Sequence, residues 1–379
     1  MLLLSGCDGN RPAPDPGIAE DAARVGTAAD RPAVRQLPQS LNAGRWDTSH
    51  VQGIAADVER GHLYFSFASV LVKTDFAGRL LGTVEGFPGH LGDLEFNPGD
   101  GMLYGSLDYK AADAFFIAVI DVERVTAVGT DPRDVLRTVY LPEVAADYAG
   151  EGGIDSEAHR FGTSGIDGLS FGPAFGTTDG PWLLTVGYAI FGAATGGGDD
   201  DQVLLQYDIA GWEPTAVPLG PDDVRRTGPG GAAGKYFVRT GNTTWGVQNL
   251  EYDCASKRWL LGVYAGRKPH YPNYTLFAVD ASSAPRVGYV EDAVDGVGMR
   301  LELSGDGILD PSTGIRGWRQ SAAVGLESLG GGLFYLASHS TESGLQTSDV
   351  ALVRWTENSA RPLQPVRDPV RSAGCRSTS

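Results

Sequence analysis

The stretch GDLEFNPGDGMLYGSL, residues 92–107, reads as two short strands around a tight turn: apolar runs flank N-P-G-D-G, where proline presets φ and glycine supplies a positive φ. The same grammar recurs along the chain. Gln52-Gly53-Ile54 runs through DVERGH to LYFSFAS at 63–69, and Asp167-Gly168-Leu169 is followed by WLLTVGY at 182–188. Gln248-Asn249-Leu250 is followed by WLLGVY at 259–264, and Glu327-Ser328-Leu329 by LFYLAS at 333–338. Each copy continues into a third run: LVKTD at 71–75, IAVID at 117–121, LLQYD at 204–208, LFAVD at 276–280 and LVRWT at 352–356. A fourth extended piece is expected around 80–84, 136–140, 214–218, 286–290 and 361–366.

Repeats of this kind set the architecture. A four-stranded sheet that is apolar on both faces cannot cover itself, whereas radial stacking buries each sheet between two neighbours. The expectation is an all-β, five-bladed β-propeller over residues 36–370, with about four antiparallel strands per blade. KYFVRT at 235–240 is a surplus strand candidate and keeps a six-bladed ring with one degenerate blade open as an alternative.

Outside the repeats, LLLSGC at 2–7 reads as a lipoprotein signal remnant cut before Cys7, so that Cys7 carries lipid. An export signal has a basic segment ahead of its apolar run, so residues are expected before Met1. Residues 8–35, with Pro12, Pro14, Pro16 and Pro32, suit a flexible tether, and 371–379 form a C-terminal tail. This address is the cell envelope, on the periplasmic or extracellular face, with the membrane reached through the lipid anchor alone. Cys254 and Cys375 are then able to pair in an oxidising compartment, or Cys254 serves as a small buried apolar residue.

The net charge of −17, from 47 acidic against 30 basic residues, repels phosphate backbones, and no Lys/Arg run offsets it. Nucleic acid is excluded as an expected partner; a small molecule or glycan and a monomeric state are expected. Connections at 141–165, 189–201, 219–247 and 291–323 exceed the usual loop length. GGGDDD at 196–201 is either a cation site or a solvated turn, and GPGGAAG at 228–234 lacks the strand-then-helix setting of a phosphate loop.

The first strand of each blade lines the channel, so Gln52, Asp93, Asp167, Gln248, Asn249, Glu327 and Ser328 are expected to converge on the axis. Gathered carboxylates either stay protonated in a hydrogen-bonded plug or collect a cation. An oxygen-only set favours Ca²⁺ over zinc or copper, and Asp93, Asp167 and Glu327 are the trio of carboxylates expected to carry the chemistry. Glu95 and Glu251, two residues further along their strands, share a face with Asp93 and Asn249 and form a deeper layer or bond to backbone in the next blade. His50 and His90 precede the first two channel strands; with Glu95 they are the candidates for proton handling, or the two imidazoles cap turns. Gln52, Gln248 and Asn249, with Arg267, His270 and Tyr271 of GRKPHYPNY, are the candidate ligand-binding set, or GRKPHYPNY is a solvated loop stabilised by Pro269 and Pro272. Asp75, Asp121, Asp208 and Asp280 end third strands and read as turn residues.

The repeat layout over roughly 36–368 and the inward openings Q-G-I, G-D-L, D-G-L, N-L-E and E-S-L resemble the class of five-bladed propellers that includes calcium-activated nucleotidases and several glycoside hydrolase families. That resemblance implies a Ca²⁺ near the axis, with Asp93, Asp167, Glu327 and Ser328 as ligands by analogy. The stretches at 90–110 and 234–253 resemble an uncharacterised bacterial lipoprotein family instead. Three functions stay open: a lipid-anchored propeller binding a small or glycan-like ligand at the channel mouth, a Ca-dependent hydrolase of phosphate or glycosidic bonds, and a structural envelope protein.

Overall fold

The computed structural model describes residues 36–149, 165–189, 200–212, 216–218, 224–241, 245–291, 293, 295–356 and 360–371. Cys7, the tether, Cys375 and most of the GGGDDD run lie outside them. β1 (Ser40–Trp46) precedes the first blade, which holds β2 (Gly53–Asp57), β3 (His62–Ser66), β4 (Val70–Asp75) and β5 (Leu80–Glu85). The second holds β6 (His90–Asn97), β7 (Met102–Tyr109), β8 (Ala114–Ile120) and β9 (Leu136–Tyr140). The third holds β10 (Gly168–Pro173), β11 (Trp182–Ala189), β12 (Asp201–Tyr207) and β13 (Gly234–Arg239). The fourth is built on β14 (Val247–Asp253), β15 (Arg258–Val263) and β16 (Leu276–Asp280). After it come β17 (Arg286–Tyr289), β18 (Val297–Leu301), β19 (Ile308–Leu309) and β20 (Arg316–Gly317). The fifth blade is β21 (Leu326–Gly330), β22 (Leu333–Glu342) and β23 (Leu345–Trp355), edged by β24 (Leu363–Pro365).

The core explains why the ring closes. Among the described residues, most buried apolar side chains fall into five clusters, and each joins two adjacent blades. Ala55, Tyr64 and Leu71 of blade 1 pack on Leu94, Leu103 and Phe116 of blade 2, and Phe65 and Val72 of blade 1 pack on Tyr335 and Val350 of blade 5. Every sheet thus has an apolar neighbour on both faces, and the inner strands touch in the order β2, β6, β10, β14, β21 and back to β2. Gly53 is needed at one of these approaches, since a Cβ there would lie 2.5 Å from the Asp93 Cα.

The outer strands differ from the expected positions. β13 is the fourth strand of blade 3, so KYFVRT belongs to an ordinary blade and the ring has five blades. The expected strand at 214–218 instead bridges Val217 to Thr138, protecting the outer edge of blade 2, while Ala216 drops into the cluster between blades 2 and 3. The expected fourth strand of blade 4 at 286–290 pairs with β18, which runs parallel to β13 on blade 3. Val290 is buried in the cluster between blades 2 and 3 and draws this hairpin there, while Trp318, 2% exposed, bridges Leu276 at the vacated edge of blade 4. In blade 5, β23 pairs with β1 along residues 346–351 and with β24 along 353–355. The N-terminal strand and the C-terminal blade therefore interlock, a closure that leaves few free edges.

The 141–165 connection opens with a helix over Pro142–Ala149, where Asp147 accepts from the Tyr188 hydroxyl and from Lys235 Nζ at 2.5 Å. Asp75, Asp121 and Asp208 make the expected Asx turns, accepting from the backbone of Ala77, Glu123 and Ala210. Cys254 is disulfide-bonded, and its partner lies outside the described residues.

Candidate functional site

All five inner strands start at the same end of the channel, so residues at their N-terminal ends share one mouth and later residues lie deeper. Register shifts in β6, β14 and β21 mark bulges at Leu91/Leu94, Val247/Asn249 and Ser328/Gly330. A bulge re-aims side chains beside a site. Here the bulges fall where the polar residues of blades 2, 4 and 5 meet the axis.

Asp93 sits at the centre, 1% exposed. Its Oδ1 accepts from the Leu94 amide at 3.0 Å, and its Oδ2 accepts from the Leu169 and Leu250 amides at 3.1 Å each. One carboxylate therefore ties blades 2, 3 and 4 together. Asn249 completes the tie to blade 1, donating from Nδ2 to the Gln52 carbonyl at 2.8 Å. Burial pushes the Asp93 carboxyl well above its ordinary range, and the three amides only partly counter it.

Below Asp93 lies a cluster of three glutamates, Glu95, Glu251 and Glu327, whose nearest oxygens all lie within 4.8 Å of one another. Each reaches forward to the next blade. Glu95 is hydrogen-bonded to the Ser170 hydroxyl, Glu251 accepts from the Ser328 amide, and Glu327 Oε1 accepts from the Ala56 amide at 3.0 Å. The Oε2 atoms of Glu95 and Glu327 are shielded from solvent and have no hydrogen-bond partner, as is Asn249 Oδ1. Glu327 is 5% exposed, and Glu95 is half-buried with its Oε2 shielded.

Burial pushes Glu95 up to about 8, and it drives Glu251 and Glu327 well above their ordinary range, reinforced by the neighbouring carboxylates. Two like charges at this spacing repel by roughly 3 kcal/mol even at an effective dielectric of about 20. Three charged glutamates are therefore not stable together without a counter-charge: the cluster holds protons or a cation. It is a buried acidic cluster able to coordinate a metal ion.

At the mouth, His90 Nε2 lies 3.6 Å from Asp167 Oδ1, and Gln248 Nε2 donates to Asp167 Oδ2 at 3.0 Å. His50 Nε2 is 2.9 Å from the Tyr264 hydroxyl and 3.3 Å from Gln52 Nε2, and its ring lies 4.9 Å from that of His339. Burial lowers the His50 pKa, reinforced by His339 and His90. Asp108, with Oδ1 accepting from the Ile166 amide, is pushed up to about 8 by burial and then by the Asp167 charge.

The structure thus gathers Gln52, Asp93, Asp167, Gln248, Asn249, Glu327 and Ser328 about the axis, and His50 and His90 at one mouth. Both oxygens of Asp93 are engaged by amides, and Asp167 belongs to the mouth layer; the oxygens that converge below are those of Glu95, Glu251 and Glu327. Arg267 and His270 are exposed. The Tyr271 hydroxyl donates to Asp200, which also pairs with Lys268 at 2.6 Å, so this loop is fastened to blade 3. His339 was not among the sequence candidates, because it lies in the stretch of β22 that runs beyond the repeated run LFYLAS.

Fold and site together define a closed five-bladed propeller with a carboxylate-plugged axis. No family model matches the chain and no curated protein matches it. Among solved structures it is similar to the computationally designed Ika4 protein, at 12% identity over 61% of this chain and 90% of that one, with a TM-score of 0.24. It is also similar to a protein of unknown function from Bacteroides caccae, at 11% identity over 68% of this chain and 87% of that one, with a TM-score of 0.28. Similarity at this level adds nothing to the sheet topology.

Proposed function

We propose that this chain is an exported, lipid-anchored, monomeric propeller that binds a small or glycan-like ligand at its channel mouth and holds Ca²⁺ between Glu95, Glu251 and Glu327. The observation that carries the reading is the glutamate cluster: carboxylates from blades 2, 4 and 5 converge, and two of their buried oxygens lack a partner. Oxygen ligands without histidine or cysteine suit a hard cation, with backbone or water filling the remaining places. The disulfide at Cys254 supports export, since such bonds persist in oxidising compartments. No helix among the described residues is long and apolar enough to cross a membrane, and lipid on Cys7 is the proposed anchor.

Calorimetric titration of the full chain with CaCl₂ tests this. Saturable binding is expected, lost in a variant carrying Glu95→Gln, Glu251→Gln and Glu327→Gln; binding that survives in the variant, or no binding in the wild type, contradicts it.

A hydrolase is the second reading, favoured by the interacting pair Asp108 and Asp167 beside His90. Carboxyls with raised pKa values at a cleft suit acid–base work near neutral pH. In this reading Asp108 donates a proton and His90 or Asp167 accepts one. Release of nitrophenol from nitrophenyl phosphate or nitrophenyl glycosides, abolished by Asp167→Asn, is its expected signature.

A further inference from the structure

We infer that the mouth takes a neutral, hydroxyl-bearing ring, a pyranose, seated on Trp245 and anchored by Asp167. This rests on the proposed reading of the mouth as a ligand site and names its ligand class.

Asp167 is 9% exposed, and its Oδ1 has no hydrogen-bond partner. A buried acceptor in that state is costly unless something else completes it. Its Oδ2 is held by Gln248 Nε2, and the same nitrogen donates to the Trp245 carbonyl at 2.6 Å. The open acceptor and the backbone of Trp245 are thus two ends of one hydrogen-bonded unit.

Trp245 is unusual in two respects. It is 53% exposed, and its φ is +63°, a conformation glycine adopts without strain and residues with a Cβ resist. A large indole in a strained, exposed position contributes little to the core. Strain of this kind is found at ligand sites, and an exposed indole offers a flat apolar face.

The chemistry of the surroundings selects the ligand. The Asp167 carboxylate, with no proton to give, repels a phosphate or carboxylate. A quaternary ammonium has no N–H to give to Asp167 Oδ1, and a cationic group already stands here: Lys110 Nζ is 3.6 Å from Asp108. A sugar ring meets both demands, laying C–H groups on the indole while a hydroxyl donates to Oδ1. Gln52, His50 and Tyr264 line the same mouth with groups that exchange hydrogen bonds with further hydroxyls.

The test is calorimetric titration of the full chain with methyl glucoside, methyl galactoside, methyl mannoside and N-acetylglucosamine, with tetramethylammonium and inorganic phosphate as contrasts. At least one pyranose is expected to bind, and Trp245→Gly and Asp167→Asn are each expected to weaken it by about tenfold or more. Trp245→Gly removes the ring and relieves the positive φ, so its melting temperature is expected to equal or exceed that of the wild type. A merely structural tryptophan would give the opposite pair of results. Unchanged pyranose binding in Trp245→Gly overturns the inference. Binding of tetramethylammonium or phosphate in place of any pyranose overturns the ligand class but leaves the mouth as a ligand site, whereas binding of none of these probes overturns both.

Discussion

Replacing Asp93 by alanine is expected to remove most of the stability of the propeller. The Asp93 carboxylate is the acceptor for the amides of Leu94, Leu169 and Leu250, all deep at the axis. Without it, three buried donors from three blades lose their partner, at about 1–3 kcal/mol each. The sum, roughly 3–9 kcal/mol, is comparable with the whole stability of a typical domain, about 5–15 kcal/mol. Asp93→Asn keeps the shape and one acceptor oxygen but turns an amide nitrogen toward backbone donors, so its loss falls between wild type and Asp93→Ala. Urea unfolding followed by circular dichroism measures this. A midpoint for Asp93→Ala close to that of the wild type would show that these three hydrogen bonds do not hold the ring.

The second large effect is a stability that falls as the pH rises, as long as calcium is chelated. Glu95 is pushed from 4.5 up to about 8 by burial, and Glu251 and Glu327 are also raised. A carboxyl with a raised pKa keeps its proton in the folded chain while the unfolded chain releases it. Its contribution is therefore fully present below the unfolded pKa and is lost as the pH climbs through the folded value. For Glu95 that window runs from about 4.5 to about 8, with a slope of up to about 1.4 kcal/mol per pH unit for each such group. In the proposed reading calcium would substitute a cation for the protons, so it is expected to raise the unfolding midpoint strongly near the top of the window and little at its foot. The triple glutamine variant is expected to lose the calcium response and the glutamates' share of the slope, while the buried carboxyls of Asp93 and Asp108 keep theirs, and in chelator to exceed the wild type near the top of the window. Unfolding curves across this range, with chelator or CaCl₂, measure both. A wild type whose stability is unchanged across the window in chelator would contradict the assignment.

The inner half of each blade was legible because burial on both faces leaves a dense apolar record: in RWLLGV of β15 every residue after the arginine is buried. The outer edge was not, because its strands are half solvated and carry a weaker pattern. β17 has no buried residue, yet RVGY reads as a strand, and nothing in it tells blade 4 from blade 3. Val290 and Trp318 decided those places through packing clusters that bring together residues far apart in sequence. β1 was invisible for a related reason, since SLNAGRW alternates only briefly and its partner β23 lies some 300 residues away.

At the site, the repeated openings placed Asp93, Asp167, Asn249 and Glu327 near one another, and two-residue spacing put Glu95 and Glu251 one layer deeper. The division of labour among these residues depends on the bulges in β6, β14 and β21. A bulge shifts which residue faces the axis and leaves little trace in composition. Glu251 and Glu327 bond to backbone of the following blade and Glu95 to the Ser170 hydroxyl there, while Glu95 and Glu327 each keep an oxygen without a partner.

The most direct test of the central claim, that these glutamates share one cation, is a crystal structure of the protein grown in CaCl₂. A spherical peak is expected about 2.3–2.6 Å from oxygens of Glu95, Glu251 and Glu327. Carboxyl groups bonded to one another through shared protons, with no ion between them, would contradict it.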